Sequence, residues 1–317
     1  MSKRILITGA GGFVGPHLIR ELQKNAEHEI YASIYSPSSD ISSLLPQDHI
    51  IPGNLTDYQY AESLISTSKP DVIYNLASIS RVESTVRDTT HLITTNTLIA
   101  YNVLEAARIK SPNTRVLAIC SGNVYGRVEG NETPIKETNP LRPLNAYAVS
   151  KISQEYLSLQ YHHAYGTDVV VLRPFNHTGP GQLAEFVIPS FAKQFVNIKS
   201  GKQEATLKVG NLDTARDFTD VRDMVRAYVL AADKGENGEV YNIGSGRAYT
   251  IREVLAMLQK LSGISVEVQE DSSKVRRSDV PILVADPTKF NAITGWTPTT
   301  AFEQTLGDVL QYWKDQA

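Results

Sequence analysis

An α/β fold, built on a doubly wound parallel sheet with a smaller C-terminal α/β domain, is the architecture this sequence predicts. Three observations point to it. Short aliphatic runs alternate with helical spacing through the first half, a glycine-rich turn follows the first run, and the rhythm changes after Arg173-Pro174. Strand, helix and strand in succession call for parallel pairing, because each crossover must carry the chain back across the sheet. Ligands then lie at the carboxyl ends of the strands.

Residues 5–8, 29–34, 49–51, 72–76, 116–119 and 169–172 are β-branched or aliphatic runs of strand length. Between them, 14–23, 58–66, 95–109 and 146–164 repeat their apolar residues with helical period. Beyond Gly179-Pro180-Gly181 the pattern predicts a helix at 186–196, a strand at 239–244 and a helix at 251–261. The stretch 219–244 reads as chain returning to the first sheet. The expected division is therefore a nucleotide domain of residues 1–173 plus 219–245, and a substrate domain of residues 174–218 plus 246–317.

A chain of 317 residues can bury a full core. Its 41% hydrophobic and 21% charged residues, with a formal charge of −3, give no electrostatic case for nucleic acid or a membrane surface. Cys120 is the single cysteine, which excludes an internal disulfide and a thiolate metal cluster. The basic pair Lys3-Arg4 and the apolar run after it end at Thr8-Gly9, so this segment is expected to be a strand and not a secretion signal. No apolar stretch approaches the roughly 18 residues of a membrane helix, and a cytoplasmic location is expected.

After the first strand comes Thr8-Gly9-Ala10-Gly11-Gly12-Phe13-Val14-Gly15. A tight strand-to-helix turn without side chains lets backbone N–H groups and the positive helix end face a pyrophosphate. At this junction the pattern predicts a dinucleotide, hence a Rossmann-type domain. The second strand leads into Ile34-Tyr35-Ser36-Pro37-Ser38-Ser39, with neither an acid for the ribose of NAD nor an arginine for the phosphate of NADP. Small hydroxyl groups can hydrogen-bond a 2′-phosphate, so NADPH is slightly favoured with NADH usable; Asp40 falls late for a ribose ligand.

Tyr147 and Lys151 stand four apart at the start of a predicted helix, which puts phenol and ammonium on one face. A phenol of ordinary pKa, about 10, is a poor acid–base group at neutral pH, and an adjacent ammonium is expected to lower it. Such pairs also occur on solvated helices without chemistry. Ser121, just past the fifth strand at the ligand edge, supplies the further element: its hydroxyl can donate to the carbonyl oxygen that Tyr147 protonates.

With the glycine turn, Ser121, Tyr147 and Lys151 are similar to the short-chain dehydrogenase/reductase superfamily, and their arrangement resembles its extended branch over essentially the whole chain. Ser121-Gly122-Asn123-Val124-Tyr125-Gly126, Tyr147-Ala148-Val149-Ser150-Lys151 and Arg173-Pro174-Phe175-Asn176 stand in that branch's order. The resemblance implies a cofactor held by Gly9, Gly12, Phe13, Val14 and Gly15, with Asn54 and Leu55 at the adenine, Leu76 and Ala77 along the middle, and Tyr147 and Lys151 at the nicotinamide. Asn96 resembles the branch's helix asparagine, whereas Asn54 stands where an aspartate is more usual.

The branch includes dehydratases, epimerases and reductases of nucleotide sugars. Its dehydratases carry a carboxylate two places after the serine or threonine, where this chain has Asn123, a residue that exchanges no proton near neutral pH. Its epimerising reductases have a cysteine at that place and a histidine shortly after the glycine-proline pair; here stand Asn123 and Gly181. Cys120, adjacent to Ser121, faces the other way by strand alternation. His177 reads as a structural hydrogen-bond partner.

Residues 173–182, Gly210-Asn211-Leu212-Asp213 with Arg216-Asp217, and Arg276 followed by Asp286-Pro287-Thr288-Lys289 resemble the GDP-sugar members. That likeness implies that Ser121, Asn123, Asn176, Arg216 and Arg276 meet a GDP-sugar, the arginines suiting phosphate through their planar fork. Alone, Arg276 beside Arg277 and Asp279 reads equally as a surface salt bridge. The implied reaction is NAD(P)H-dependent reduction of the 4-keto group of GDP-4-keto-6-deoxy-D-mannose to GDP-D-rhamnose. A nucleotide-sugar 4-epimerase uses the same three residues, and a non-catalytic NAD(P)H sensor is the alternative from another class. The resemblance also implies a homodimer through the helices at 95–109 and 146–164, whose sequences show no decisive exposed apolar stripe.

Overall fold

A computed structural model of the chain describes residues 2–36, 41–80, 88–271 and 280–317. The first half runs β1 (Arg4–Thr8), α1 (Val14–Leu22), β2 (Glu29–Ile34), β3 (Ile50–Pro52), α2 (Tyr58–Ser68), β4 (Val72–Asn75), α3 (Thr89–Lys110), β5 (Arg115–Ile119), α4 (Ala146–Tyr165) and β6 (Val169–Pro174). The second continues β7 (Asn176–Thr178), α5 (Val187–Lys199), β8 (Thr206–Val209), β9 (Ala215–Asp220), α6 (Val221–Lys234), β10 (Val240–Ile243), β11 (Ala248–Thr250), α7 (Ile251–Ser262), β12 (Glu267–Glu270), β13 (Ile282–Leu283), α8 (Thr288–Thr294) and α9 (Phe302–Asp315).

Seven strands form one parallel sheet in the order β10-β6-β5-β4-β1-β2-β3. Alternation divides each strand between two cores, as period-two geometry requires. Ile5, Ile7, Leu117, Ile119, Val170 and Leu172 face the layer of α1 and α6, while Leu6, Val116, Ala118, Cys120, Val169 and Val171 face that of α2, α3 and α4. Strand order reverses between β1 and β4, and the ligand crevice of a doubly wound sheet opens at such a switch. A third core, between α5, α7 and α9, takes in residues of β8, β9 and β11, and β7, β9, β11 and β13 form a small sheet that helps line the crevice.

The helix that orients Tyr147 has well-marked ends. Asn145 caps α4 by accepting a hydrogen bond from Ala148 N at 2.8 Å, and Gly166 closes it in the left-handed conformation, φ 71°. Helix α3 begins at Thr89, earlier than the expected 95, because the Asp88 side chain caps it through His91 N at 2.8 Å. The β-branched and polar run after Asp88 disguises that first turn.

Candidate active site

The crevice is a cavity of about 760 Å³ lined from both sides of the switch point. Thr8 ties the end of β1 to the segment after β4: its hydroxyl donates to Asn75 Oδ1 at 2.7 Å and accepts from Ala77 N at 3.2 Å. Gly9 has φ +64°, and a Cβ there would stand 2.7 Å from Ala77 Cα. Both facts demand glycine. At Gly15 a Cβ would approach Ala10 O to 2.0 Å, so that glycine lets α1 close onto the turn. No side chain caps the start of α1, whose first-turn N–H groups are thus available to an anion. Gly9→Ala is expected to lower stability by about 1–3 kcal/mol, the usual cost of forced backbone strain; an unchanged denaturation midpoint would contradict this.

Ser121, Asn123, Tyr147, Lys151 and Asn176 all line this cavity, together with Gly9, Gly12, Phe13, Val14, Gly15, Leu76 and Ala77. Lys151 is buried; its ammonium donates to Ile119 O at 2.9 Å and Gln154 Oε1 at 3.0 Å, and lies 5.8 Å from the centre of the Tyr147 ring. Burial lowers its pKa to about 8. The Tyr147 phenol moves oppositely to the expectation. Burial raises its pKa above the ordinary 10, only partly opposed by hydrogen bonding with Ser121. In the free protein desolvation dominates, so the phenol stays protonated at neutral pH.

Other expected residues lie elsewhere. Asn54 uses its side-chain oxygen within its own turn, accepting from Thr56 N at 3.0 Å, and Leu55 is buried with its carbonyl bonded to Asn102 Nδ2 at 2.8 Å. Neither lines the cavity. Arg216 is not brought to it either: its guanidinium donates to the carbonyls of Ala215 at 2.8 Å and Val280 at 2.7 Å. Asn96 is internal, bonding both backbone groups of Ile79 and the Ser150 hydroxyl. Residues 37–39, Asp40, Arg276, Arg277 and Asp279 lie outside the described residues.

Cys120 is among the cavity's lining residues, but its thiol is buried, with Sγ donating to Lys151 O at 3.3 Å, and burial pushes the thiol pKa up. His177 does line the cavity. Its Nδ1–H donates to Phe175 O at 3.0 Å, its ring stacks on Phe13, and burial lowers its pKa, which leaves the imidazole neutral. Sequence reading missed His17, Arg20, Gln182, Phe186, Tyr228 and Tyr312 in the lining. They come from α1, the segment after β7, α6 and α9, and only tertiary packing joins them. Among the described residues, no group of three or more His, Cys, Asp and Glu is placed to hold a metal ion, and no helix is long and apolar enough to cross a membrane.

Known proteins share this architecture end to end. GDP-6-deoxy-D-mannose reductase of Pseudomonas aeruginosa is 35% identical over 316 residues, covering 100% of this chain and 99% of that protein. GDP-6-deoxy-D-talose 4-dehydrogenase of Aggregatibacter actinomycetemcomitans is 28% identical, covering 92% and 91%. The solved structure of RMD from Pseudomonas aeruginosa complexed with NADPH superposes with a TM-score of 0.88 at 33% identity, covering 99% of this chain and 100% of that one. UDP-glucose 4-epimerase of Thermotoga maritima, solved with UDP-glucose, gives 0.89 at 26% identity, with 100% and 99% covered. Residues 6–309 match the family model described as GDP-mannose 4,6 dehydratase, and the chain belongs to that family of extended short-chain dehydrogenase/reductases.

Proposed function

We propose that this protein reduces the 4-keto group of GDP-4-keto-6-deoxy-D-mannose to give GDP-D-rhamnose, with NADPH as the favoured hydride donor and NADH usable. One observation carries the choice of reaction. Ser121, Tyr147 and Lys151 share a cavity whose described lining contains no aspartate or glutamate. Such a site can protonate a ketone oxygen, but it lacks the carboxylate that the resembling dehydratases place two residues after the serine, where Asn123 stands. The names of the reductase and 4-dehydrogenase relatives support the same chemistry on a GDP-6-deoxyhexose.

The residues fit a dinucleotide: the turn at Gly9, Gly12 and Gly15 with the uncapped start of α1 would receive its pyrophosphate, and Lys151 its nicotinamide ribose. When bound, the reduced nicotinamide supplies hydride to the sugar carbonyl carbon. Ser121 would hold the carbonyl oxygen, and Tyr147 would give its proton to that oxygen as negative charge grows there. The Lys151 ammonium would favour the resulting phenolate, while Asn123 and Asn176 would hydrogen-bond the substrate.

Loss of the Lys151 proton removes that help. Because the group is held near 8, kcat/KM for reduction is expected to fall as pH rises past about 8, by roughly tenfold per further unit. A profile level far beyond that pH would separate Lys151 from the proton transfer.

The deciding experiment mixes protein, NADPH and the 4-keto sugar nucleotide, and follows nicotinamide absorbance. Stoichiometric oxidation with a GDP-6-deoxyhexose product is expected. Interconversion of nucleotide sugars without net absorbance change would instead establish the 4-epimerase, and cofactor binding without turnover the sensor.

The division into residues 1–173 plus 219–245 and 174–218 plus 246–317 belongs to this reading, as does a cytoplasmic location. A homodimer also belongs to it. Leu98 and Tyr101 on α3, with Val149 and Tyr156 on α4, are large exposed apolar residues on two helices packed side by side. Tyr101→Glu combined with Tyr156→Glu is expected to give monomers by light scattering with the fold intact, and an unchanged mass would remove this face from the interface.

A further inference from the structure

Tyr228 is a fully buried residue of α6 whose ring belongs to the core beneath the sheet, together with Ile7, Ile119, Val221 and Ile243. It nevertheless forms part of the cavity wall. No described group makes a hydrogen bond with its hydroxyl, although nearly every buried phenol in a folded protein has a partner. Tyr147 and Lys151 line the same cavity. A core position that needed only volume would be served by phenylalanine, so the oxygen calls for a partner in the cavity.

We infer that the Tyr228 hydroxyl is a binding group for the nicotinamide carboxamide, an inference that rests on the cofactor reading above. Location decides which ligand meets it. The core that holds Tyr228 is the one against which Phe13, Val14 and Leu76 pack, all on the dinucleotide side, while Asn123, Asn176 and Phe186 bound the other. Tyr228 lines the same cavity as Tyr147 and Lys151, which Asn54 and Leu55 do not reach, and this puts the hydroxyl at the reacting end and not at the adenine. The nicotinamide ring has one polar substituent, the carboxamide, whose oxygen accepts from a phenol and whose NH2 donates to one. A hydrogen bond there restrains rotation of the ring about its glycosidic bond, and thereby which face meets the sugar.

Tyr228→Phe removes only an oxygen without a partner among the described residues, so the fold is expected to persist with an unchanged or slightly higher thermal midpoint. The test compares NADPH with 2′-phospho-ADP-ribose, which lacks the nicotinamide, by calorimetric titration of wild type and variant. Affinity for NADPH is expected to fall by about tenfold, the usual weight of one buried hydrogen bond, with affinity for 2′-phospho-ADP-ribose unchanged. Unchanged NADPH affinity would overturn the assignment, leaving ordered water as the partner. An equal loss for both ligands would overturn it too, by making the hydroxyl structural. Failure of the wild type to bind NADPH would instead sink the cofactor reading itself.

Discussion

Tyr147→Phe is expected to lower turnover by two or more orders of magnitude while leaving the fold and NADPH affinity close to wild type. The magnitude follows from the usual weight of a positioned general acid, about 10²–10⁴ in rate. The variant keeps the ring that fills the cavity wall and removes only the proton donor. Burial keeps this phenol above its ordinary pKa, so the proton is in place before substrate arrives. Steady-state kinetics with a circular dichroism control check this, and near-normal turnover would remove Tyr147 from the mechanism. Ser121→Ala should act through the same oxygen with a smaller loss, since it orients and does not supply the proton.

Glu155→Ala should be the most destabilising single change in this region. Glu155 on α4 and Arg173 at the end of β6 form a bidentate ion pair with side-chain exposures of 1% and 6%. Arg173 also donates to Tyr125 OH at 2.6 Å and Glu137 O at 3.1 Å. Removing the carboxylate leaves a buried guanidinium without its counter-charge, which typically costs about 3–5 kcal/mol. The pair ties α4 to the sheet two turns beyond Tyr147, so kcat should fall as well. Denaturant unfolding measures the first effect, and a loss under about 1 kcal/mol would show that the pair is replaceable. Glu155→Met with Arg173→Met should recover much of the stability, because an apolar pair of similar volume avoids desolvation altogether.

Much of the fold was legible because its signals are local. The strand runs from β1 to β6 announced a parallel sheet by alternation with helices, and the turn at Gly9 announced its ligand edge through a backbone conformation that L side chains rarely adopt. The four-residue spacing of Tyr147 and Lys151 needed only a helix to put them on one face. The start of α3 was less legible, because Asp88 outweighs a run of poor helix formers. The apolar face on α3 and α4 was hidden too. Both helices carry apolar residues on several sides, and period alone cannot tell a core-facing stripe from an exposed one.

By itself, then, the order of residues determined the strands and helices from β1 to β6, where a dinucleotide would enter, and the pairing of Tyr147 with Lys151, because those depend on neighbours within a turn or two of chain. The short strands from β7 to β9 and β11 to β13, and the helices α8 and α9, carried no such signal, and Ser121 joined the pair through its place at a strand end and the family resemblance. Tertiary structure alone decided that Arg216 turns to the carbonyls of Ala215 and Val280, that the Tyr147 phenol becomes less acidic and not more, and that Tyr228 reaches the cavity from a distant helix. Desolvation and hydrogen-bond satisfaction are sums over everything packed around a group, and that packing exists only once the chain has folded.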